Sequence, residues 1–405
     1  MNTQTRIYAS GALAFGEDQA INNLLTANYS AVIVWSVHVA SDGTLILNNT
    51  QFVSNGVYAE AEQMNLPSRL AQLYKAGIQI IFSVGAGGTQ DFTNIQTLLN
   101  GGIPTQGNPL YDNFSALKAA MVSAGGDIDA IDFDNEDNMN TATMVNFGCM
   151  LANIGYTSVT FCPYYTDPVW TDTYNQLLAK QGKGFVSAIH LQCYSGGMGS
   201  NPQDWGKMIA NGKGNTLLIP GLATNQADPG PWWDGSTQQP GGSVVTTSNV
   251  AMYKDADWSG MLRIGNYSSP DVAMQNTKGG ETFFFYCNQF IDLGPGKQFM
   301  PGDAVFFGGR PWWGSAPQCN GYSLSGGCTN IYNSINFDQP CGACPSDLQT
   351  QYAQWKNGKY PVNGGFIWLY DSIVNCLLSN CCGEGSENTA QVATDYKEAI
   401  INGLN

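Results

Sequence analysis

Short apolar runs rich in β-branched residues alternate along this chain with stretches whose apolar residues recur at helical spacing. The predicted strands are residues 7–13, 31–37, 78–84, 128–134, 158–162, 188–194, 217–222 and 365–370. The predicted helices are residues 18–27, 68–75, 111–123, 141–153, 172–180 and 387–402. Eight strands that alternate with helices predict an α/β protein, a (β/α)8 TIM barrel. A doubly wound open sheet is the alternative that the same pattern allows.

The alternation is interrupted once. After the seventh predicted strand about 140 residues pass before the eighth, far more than an ordinary loop contains. This stretch is rich in Gly and aromatic residues, and its runs 250–253 and 281–287 read as strands. We therefore predict one barrel formed by residues 1–224 and 345–405. Residues 225–344 are predicted to be a Gly-, aromatic- and Cys-rich insertion with β structure between strands seven and eight.

The amino-acid composition and net charge disfavour some classes of binding partner. The 405 residues are 43% hydrophobic, which is ample for a buried core, but only 12% charged. The net charge of -15 repels phosphate backbones and anionic lipids, so nucleic acid and membrane surfaces are poor partners. A neutral ligand such as a sugar is not repelled. The low charge and 48 glycines suggest an extracellular, secreted protein, although residues 1–6 lack the apolar core of a signal peptide.

The cysteines are numerous and unevenly placed. Seven of the eleven crowd the last fifth of the chain: Cys319, Cys328, Cys341, Cys344, Cys376, Cys381 and Cys382. Such clustering in a Gly-rich segment predicts disulfides that pin long loops. A zinc site on the first four is the alternative, which their irregular spacing disfavours. With only two histidines, His38 and His190, a His-rich catalytic metal centre is excluded, and we predict neither metal nor cofactor.

Three acidic residues alternate along the fourth predicted strand, in the run Asp129-Ala-Ile-Asp-Phe-Asp-Asn-Glu136. Alternate side chains of a strand share a face, so Asp132, Asp134 and Glu136 should point into the barrel about 6–7 Å apart. Carboxyl groups this close do not all ionise, and a carboxyl that keeps its proton suits the general acid of a glycosidase. The alternatives are a solvated acidic turn at residues 134–137 that caps the next helix, and an acidic metal site.

The acidic run resembles the signature Asp-Gly-x-Asp-x-Asp-x-Glu of glycoside hydrolase family 18, which includes chitinases and endo-β-N-acetylglucosaminidases. Three other segments match that family in the same order: its Ser-x-Gly-Gly motif, its acetamide-binding tyrosine and its strand-eight tryptophan. They are Ser83-Val-Gly-Ala-Gly-Gly88, Gln192-Cys-Tyr194 and Gly364-Gly-Phe-Ile-Trp368. All lie at the carboxyl ends of predicted strands, where barrel active sites form. The resemblance covers residues 5–222 and 345–405 and not the insertion.

The resemblance implies a role for each matching residue. Glu136 would protonate the glycosidic oxygen, while the N-acetyl oxygen of the substrate attacks the anomeric carbon. Asp134 would bind the acetamide N–H and orient that oxygen, and Asp132 would tune the charge on Asp134. Tyr194 would donate its hydroxyl to the acetamide oxygen. The predicted substrate-binding residues are Ser83, Tyr164, Tyr165, Gln192 and Trp368, with Trp368 stacked under the sugar ring.

Two positions depart from the family pattern. Ala130 stands where the signature has Gly, and Ser195 follows Tyr194 where many chitinases carry Asp or Asn. Because this neighbour of the tyrosine helps to shape the sugar subsite, the second departure leaves the sugar specificity open. Neither change removes a group that proton transfer needs.

Several aromatic residues are candidates for stacking on a sugar polymer. Tyr164, Tyr165 and Trp170 follow the fifth strand, and the insertion carries the pairs Trp232-Trp233 and Trp312-Trp313. The alternative for the pairs is that they form a small core within the insertion. Trp35 is predicted to pack in the barrel, and His38 to be a hydrogen-bonded polar residue near its rim.

The sequence thus predicts an endo-acting hydrolase of β-1,4-linked N-acetylglucosamine polymers, a chitinase, whose partner is a polysaccharide or glycan. An endo-β-N-acetylglucosaminidase that cuts N-glycan cores would share the motif and the chemistry. A carbohydrate-binding barrel without activity is the alternative from another class, and it usually lacks the acidic residue that Glu136 supplies here.

Overall fold

The computed structural model describes residues 3–14, 18–59, 65–165, 168–194, 197, 200–224, 243–245, 261–268, 272–273, 276, 282–287, 291–292, 298–307, 345–376 and 389–405. The chain divides into two compact units. The first comprises residues 1–222, 348–374 and 388–405, and the second comprises residues 223–347 and 375–387.

Strands and helices alternate through the first unit. Its strands, with one that ends just past the boundary, are β1 (Gln4–Ala9), β2 (Ala31–Val39), β3 (Leu45–Leu47), β4 (Thr50–Ser54), β5 (Val57–Tyr58), β6 (Gln79–Val84), β7 (Ala130–Phe133), β8 (Val159–Phe161), β9 (Val186–Gln192) and β10 (Leu217–Ala223). The helices before the insertion are α1 (Gly11–Ala14), α2 (Asp18–Ala27), α3 (Leu66–Lys75), α4 (Asp91–Leu99), α5 (Pro109–Ser123), α6 (Thr141–Ile154), α7 (Pro168–Gln181) and α8 (Pro202–Gly212).

The second unit contributes strands β11 (Ser243–Val245), β12 (Met261–Asn266), β13 (Thr282–Cys287), β14 (Ile291–Asp292), β15 (Gln298–Phe299) and β16 (Asp303–Phe307). The chain then continues with α9 (Pro345–Lys356), β17 (Gly364–Trp368), α10 (Tyr370–Cys376) and α11 (Thr389–Leu404). In the second unit β11, β13, β16 and β12 form a four-stranded sheet, and β14 pairs with β15.

Eight parallel strands close into a barrel in the order β1, β17, β10, β9, β8, β7, β6, β2, and β2 pairs with β1 to complete the ring. This confirms the predicted (β/α)8 fold and rules out the open sheet, which would leave two edge strands. The ring skips the sequence between β10 and β17, where the β-containing insertion was predicted. Within the described residues we find no helix long and apolar enough to cross a membrane.

The structure also contains elements that the sequence pattern did not reveal. Strand β2 runs past the barrel and pairs with the antiparallel ribbon β3, β4 and β5. Helices α1, α4, α8, α9 and α10 are additional. The first strand begins at Gln4 and ends at Ala9, earlier than predicted. The strands of the ribbon have two to five residues, which is too short for the pattern to reveal them.

Asparagine caps fix where several helices begin. Asn108 accepts hydrogen bonds from the backbone N–H of Leu110 and Tyr111 at the start of α5. Asn140 caps α6 and Asn201 caps α8 in the same manner. Each cap satisfies donors that the first turn of a helix leaves unpaired, so the loops that follow the barrel strands end at defined residues.

An aromatic layer fills the space between the barrel and its helices α5 and α6. Phe133 of β7 stacks on Phe147 of α6 with ring centroids 5.1 Å apart, and Phe147 meets Phe114 of α5 at 5.3 Å. Phe161 of β8 lies 5.8 Å from Phe133. All four are buried. The layer holds the outer face of β7, whose inner face carries Asp132.

Removing the central ring of this layer should destabilise the barrel. Phe147→Ala leaves a cavity among three rings, and we expect the free energy of unfolding to fall by about 3–5 kcal/mol in urea denaturation. Val122→Ala is the control, because Val122 is 53% exposed on α5 and should change the value by no more than about 0.5 kcal/mol. Similar losses in both variants would contradict the packing role of Phe147.

Candidate active site

The candidate site lies at the carboxyl end of β7 and continues into the loop after it. Side chains alternate along the strand, so Asp132 and Asp134 point inward while Phe133 between them points into the aromatic layer. Asp132 is 0% exposed and Asp134 is 2% exposed, whereas Glu136 is only partly buried. The three carboxyls therefore step from the barrel interior toward solvent.

Asp132 accepts hydrogen bonds from side chains on four strands. Its Oδ2 accepts from Tyr8 Oη and Ser83 Oγ, both at 2.9 Å. Its Oδ1 is 2.5 Å from Thr160 Oγ1 and 2.8 Å from His190 Nδ1. Burial by itself would raise the pKa of Asp132, but the contacts with His190, Thr160 and Ser83 outweigh it and hold that pKa below its ordinary value. Asp132 is therefore ionised.

Asp134 is oriented by hydrogen bonds from Trp35, Gln192 and Cys162. Trp35 Nε1 donates to its Oδ2 at 2.9 Å, and Gln192 Nε2 donates to its Oδ1 at 3.1 Å. Burial, followed by the charges of Glu136 and Asp132, raises the pKa of Asp134 well above its ordinary value despite the hydrogen bonds that it accepts. A buried carboxyl between two others thus favours its protonated form.

Glu136 is bonded to the same groups. Its Oε1 accepts from Gln192 Nε2 at 3.1 Å, and a side-chain hydrogen bond joins it to Asp134. Burial raises the pKa of Glu136, and these two hydrogen bonds only partly offset the rise. Two carboxyls that bond each other must share a proton, so Asp134 and Glu136 titrate as a pair.

Glycines after β6 leave room for the carboxyls. Gly85 has φ +102° and lies against the carbonyl oxygen of Asp134, so a side chain there would be strained and would collide with it. A Cβ on Gly87 would lie 3.0 Å from Oε2 of Glu136. In the Ser-x-Gly-Gly-like segment, Gly85 and Gly87 therefore leave space that a larger side chain would fill.

Tyr194 and Trp368 form an aromatic floor. Their rings stack at 5.7 Å with an interplanar angle of 21°, and Trp35 meets Trp368 edge-on at 4.7 Å. Trp368 is partly exposed, while Tyr194 is buried. The same Trp35 that bonds Asp134 therefore also supports the floor, which joins the carboxyls and the aromatic rings in one site.

The predicted aromatic residues after strand five separate into two groups. Tyr164 and Tyr165 are partly buried, with ring centroids 4.6 Å apart, and partial burial and the charge of Glu136 raise the pKa of Tyr164. Trp170 is only 1% exposed and packs on Phe161, so its expected role in sugar stacking is wrong. A residue inside α7 with its ring in the core has no surface to offer.

Two other roles change in the structure. Trp35 was expected only to pack, but its indole N–H also orients Asp134. Ser83 was expected to bind substrate, but it is fully buried and donates to Asp132. Tyr8, Thr160 and His190 were not predicted at all. The sequence signal that could have found them is a polar residue at the inward phase of an otherwise apolar strand.

The alternatives for the acidic run are also decided in part. Asp137 accepts hydrogen bonds from the backbone N–H of Phe92 and Thr93 in the first turn of α4, whereas the helix that follows the run, α6, is capped by Asn140. The solvated-turn alternative does not hold for Asp134, which is buried. No group of three or more potential metal-ligating side chains occurs within the part of the chain that the structure describes.

His38 is hydrogen-bonded as expected, with Nδ1 2.9 Å from Asp91 and Nε2 3.1 Å from Ser36. Several other predictions fall on residues or side chains outside the described ones. They concern Ser195, residues 250–253, the pairs Trp232-Trp233 and Trp312-Trp313, and the seven clustered cysteines from Cys319 to Cys382. The described cysteines, Cys149, Cys162, Cys193 and Cys287, are buried free thiols.

No protein-family model and no curated protein matches the chain. Among solved structures, a chitinase from Bacteroides thetaiotaomicron is similar with TM-score 0.47 and 10% identity, over 99% of this chain and 97% of that one. Chitinase ChiC from Aspergillus fumigatus has TM-score 0.40 and 18% identity over 55% and 79%. The spore cortex-lytic enzyme SleL from Bacillus megaterium QM B1551 has TM-score 0.42 and 11% identity over 98% and 74%. Likenesses this distant concern fold alone, so the side chains must decide the activity.

The raised pKa of Glu136 makes a prediction about stability. Above the ordinary carboxyl pKa of about 4.3 the unfolded chain gains by ionising Glu136, whereas the folded chain keeps the proton longer. The wild type therefore loses stability as pH rises through this window, and Glu136→Gln does not. We expect the free energy of unfolding of the variant relative to wild type to increase from pH 4 to pH 7, measured in urea. A Glu136→Gln variant whose stability relative to wild type does not rise over this range would contradict the proton held at Glu136.

Proposed function

We propose that this chain is a glycoside hydrolase that cuts β-1,4-linked N-acetylglucosamine polymers internally, a chitinase, by a substrate-assisted retaining mechanism. One observation carries the proposal: Asp132, Asp134 and Glu136 follow one another from the barrel interior toward solvent, Asp134 and Glu136 are joined by a hydrogen bond, and an aromatic floor lies beside them. A proton held on a carboxyl at the barrel mouth is what a general acid for glycosidic bonds requires.

Glu136 is the general acid in this proposal. It is the member of the carboxyl series nearest to solvent, so a glycosidic oxygen can reach it. Its proton passes to that oxygen as the bond to the anomeric carbon breaks. The resulting carboxylate then takes a proton from the water that completes hydrolysis, so that Glu136 returns to its starting state.

Asp134 orients the substrate rather than attacking it. Its oxygens are held by Trp35 and Gln192, and it is almost completely buried, which suits a fixed acceptor better than a nucleophile. In this mechanism it accepts the acetamide N–H, and the acetamide oxygen bonds to the anomeric carbon as the leaving group departs. Holding these atoms in line supplies the positioning part of catalysis.

Tyr194 and Trp368 bind the reacting sugar in this proposal. We find no hydrogen-bond partner for the Tyr194 hydroxyl among the described residues, and burial raises its pKa well above the ordinary value. The hydroxyl therefore keeps its proton and can donate it to the acetamide oxygen. The partly exposed indole of Trp368 offers an apolar plane for the pyranose ring. We further propose that Tyr164 and Tyr165 extend this surface along the polymer, and that the protein acts outside the cell.

The first test of the function is hydrolysis of fluorogenic chitobioside and chitotrioside. We expect turnover by the wild type and a loss of at least about 100-fold in Glu136→Gln, the low end of what general acid catalysis contributes. Glu398→Gln, the same substitution at an exposed position of α11, should keep the wild-type rate. Turnover by wild type and Glu136→Gln at equal rates would contradict the assignment.

If the wild type hydrolyses neither chitobioside nor chitotrioside, glycoproteins are the next substrates to test. Release of glycans there with intact chito-oligomers would identify an endo-β-N-acetylglucosaminidase. Binding of chito-oligomers with no cleavage of any of these substrates would identify a carbohydrate-binding barrel and overturn the proposal of an enzyme.

The pH profile offers a second test. Because Glu136 must be protonated to act, its pKa sets the basic limb of the profile of kcat against pH, and the raised pKa places that limb above pH 4.3. Gln192 lowers the pKa of Glu136 by its hydrogen bond, so Gln192→Leu should move the limb to higher pH while lowering kcat. A limb that moves to lower pH in Gln192→Leu would contradict this reading of the bond.

A further inference from the structure

A buried cation and a buried imidazole are bonded in series to Asp132. Arg6 Nη1 lies 2.6 Å from His190 Nε2, and His190 Nδ1 lies 2.8 Å from Asp132 Oδ1. Arg6 is 3% exposed and His190 is 0% exposed. Arg6 precedes Tyr8 by two residues on β1, and His190 precedes Gln192 by two on β9, so both side chains point into the barrel.

The hydrogen bonds of this series determine where the proton of His190 lies. A guanidinium has five N–H donors and no acceptor, so Nε2 of His190 must accept from Arg6. Burial lowers the pKa of Arg6 to about 10, which still leaves it charged at neutral pH. Burial lowers the pKa of His190; the charge and hydrogen bond of Asp132 oppose this, the Arg6 charge adds to it, and the pKa stays below its ordinary value. His190 is therefore neutral with its proton on Nδ1, from which it donates to Asp132.

We propose that Arg6 and His190 are positioning residues that keep Asp132 ionised, so that the mobile proton of the site stays on Asp134 and Glu136. This inference rests on the proposed glycosidase function. It concerns which carboxyl holds the proton, and it assigns a purpose to a buried arginine and a buried histidine that make no contact with the sugar in the proposed mechanism.

The other donors to Asp132 do not enforce its charge in the same way. The hydroxyls of Tyr8, Ser83 and Thr160 can rotate, and each can accept from a protonated carboxyl as readily as it donates to an ionised one. His190 cannot reverse its role at Nδ1, because Arg6 occupies Nε2. Arg6 and His190 therefore favour the ionised form of Asp132 over the protonated form. The hydroxyls provide hydrogen bonds to either form.

The remaining ionisable groups near the series supply no positive charge. Asp129 acts on Arg6 from the start of the acidic run, with its pKa raised by burial. Tyr8, Cys162 and Tyr194 have pKa values raised by burial and stay neutral. Asp134 is the next carboxyl along the run. Since these groups are neutral or anionic, Arg6 is the cation of the series, and it and the Asp132 carboxylate attract each other.

Loss of the N–H donor at His190 Nδ1 should therefore change which carboxyl group holds the proton. When Asp132 is no longer held as an anion, the first proton that the three carboxyls bind can settle on Asp132 and Asp134. Glu136 must then bind a second proton before it can act as the acid. A second proton binds at lower pH, because fewer anionic neighbours remain to attract it.

The protonation state can be read from the wild type without any activity. The chain contains only two histidines, so 15N labelling of histidine gives two imidazoles, and His38→Gln assigns them. We expect His190 to be neutral with its proton on Nδ1 from pH 6.5 to pH 8. A proton on Nε2, or an imidazolium within this range, would overturn the proposal. In Arg6→Met the pKa of His190 should rise, since the charge that opposes its protonation is gone.

Kinetics test the consequence for the acid. His190→Leu removes the donor, and we expect the basic limb of kcat to move to lower pH by about 1 or more. His190→Asn retains an N–H at the Nδ1 position and should restore the limb toward that of the wild type. A uniform loss of kcat at every pH in both variants would show a packing role only and would overturn the inference.

The NMR and kinetic measurements distinguish a failure of the proposed function from a failure of this inference about Arg6 and His190. If the wild type cleaves no glycan but His190 carries its proton on Nδ1, the proposed function fails while the assignment of protons stands. If the wild type is active but the tautomer is the other one, the function stands and this inference fails.

Discussion

A fully buried, ionised carboxylate inside the barrel requires compensation from every side, and the arrangement around it follows from that need. Removing a carboxylate from water costs several kcal/mol unless donors replace the water. Asp132 obtains donors from β1, β6, β8 and β9, strands that are far apart in the sequence. Hydrogen bonds to this one carboxylate therefore hold side chains from four barrel strands at the same point. This arrangement requires the barrel to close in a fixed register.

The ionisation of Asp134, at the mouth of the barrel, depends on this same charge of Asp132. An anion at Asp132 makes it unfavourable for Asp134 to ionise above it, and Glu136 is the next group in line. In the proposed mechanism the proton of Glu136 is retained because burial raises its pKa. Trp35 and Gln192 fix the direction of the Asp134 carboxyl.

The fold was largely readable from the sequence because the barrel strands are buried, apolar and separated by amphipathic helices. The strands alone did not specify closure, which depends on the pairing of β1 with β2. The ribbon β3 to β5 escaped because strands of two to five residues depend on neighbouring strands more than on their own pattern. Trp170 was misjudged for the same reason: its burial is a property of where α7 packs.

The sequence by itself determined that three carboxyls share one face of a strand, since a period of two residues is fixed by local backbone geometry. Tertiary structure alone decided which of them is charged. The groups that surround Asp132, among them Arg6, Tyr8, Thr160 and His190, come from distant strands, and Arg6 and His190 are 184 residues apart. Proton affinity depends on burial and on charges within a few ångströms, and those distances exist only once the barrel has closed.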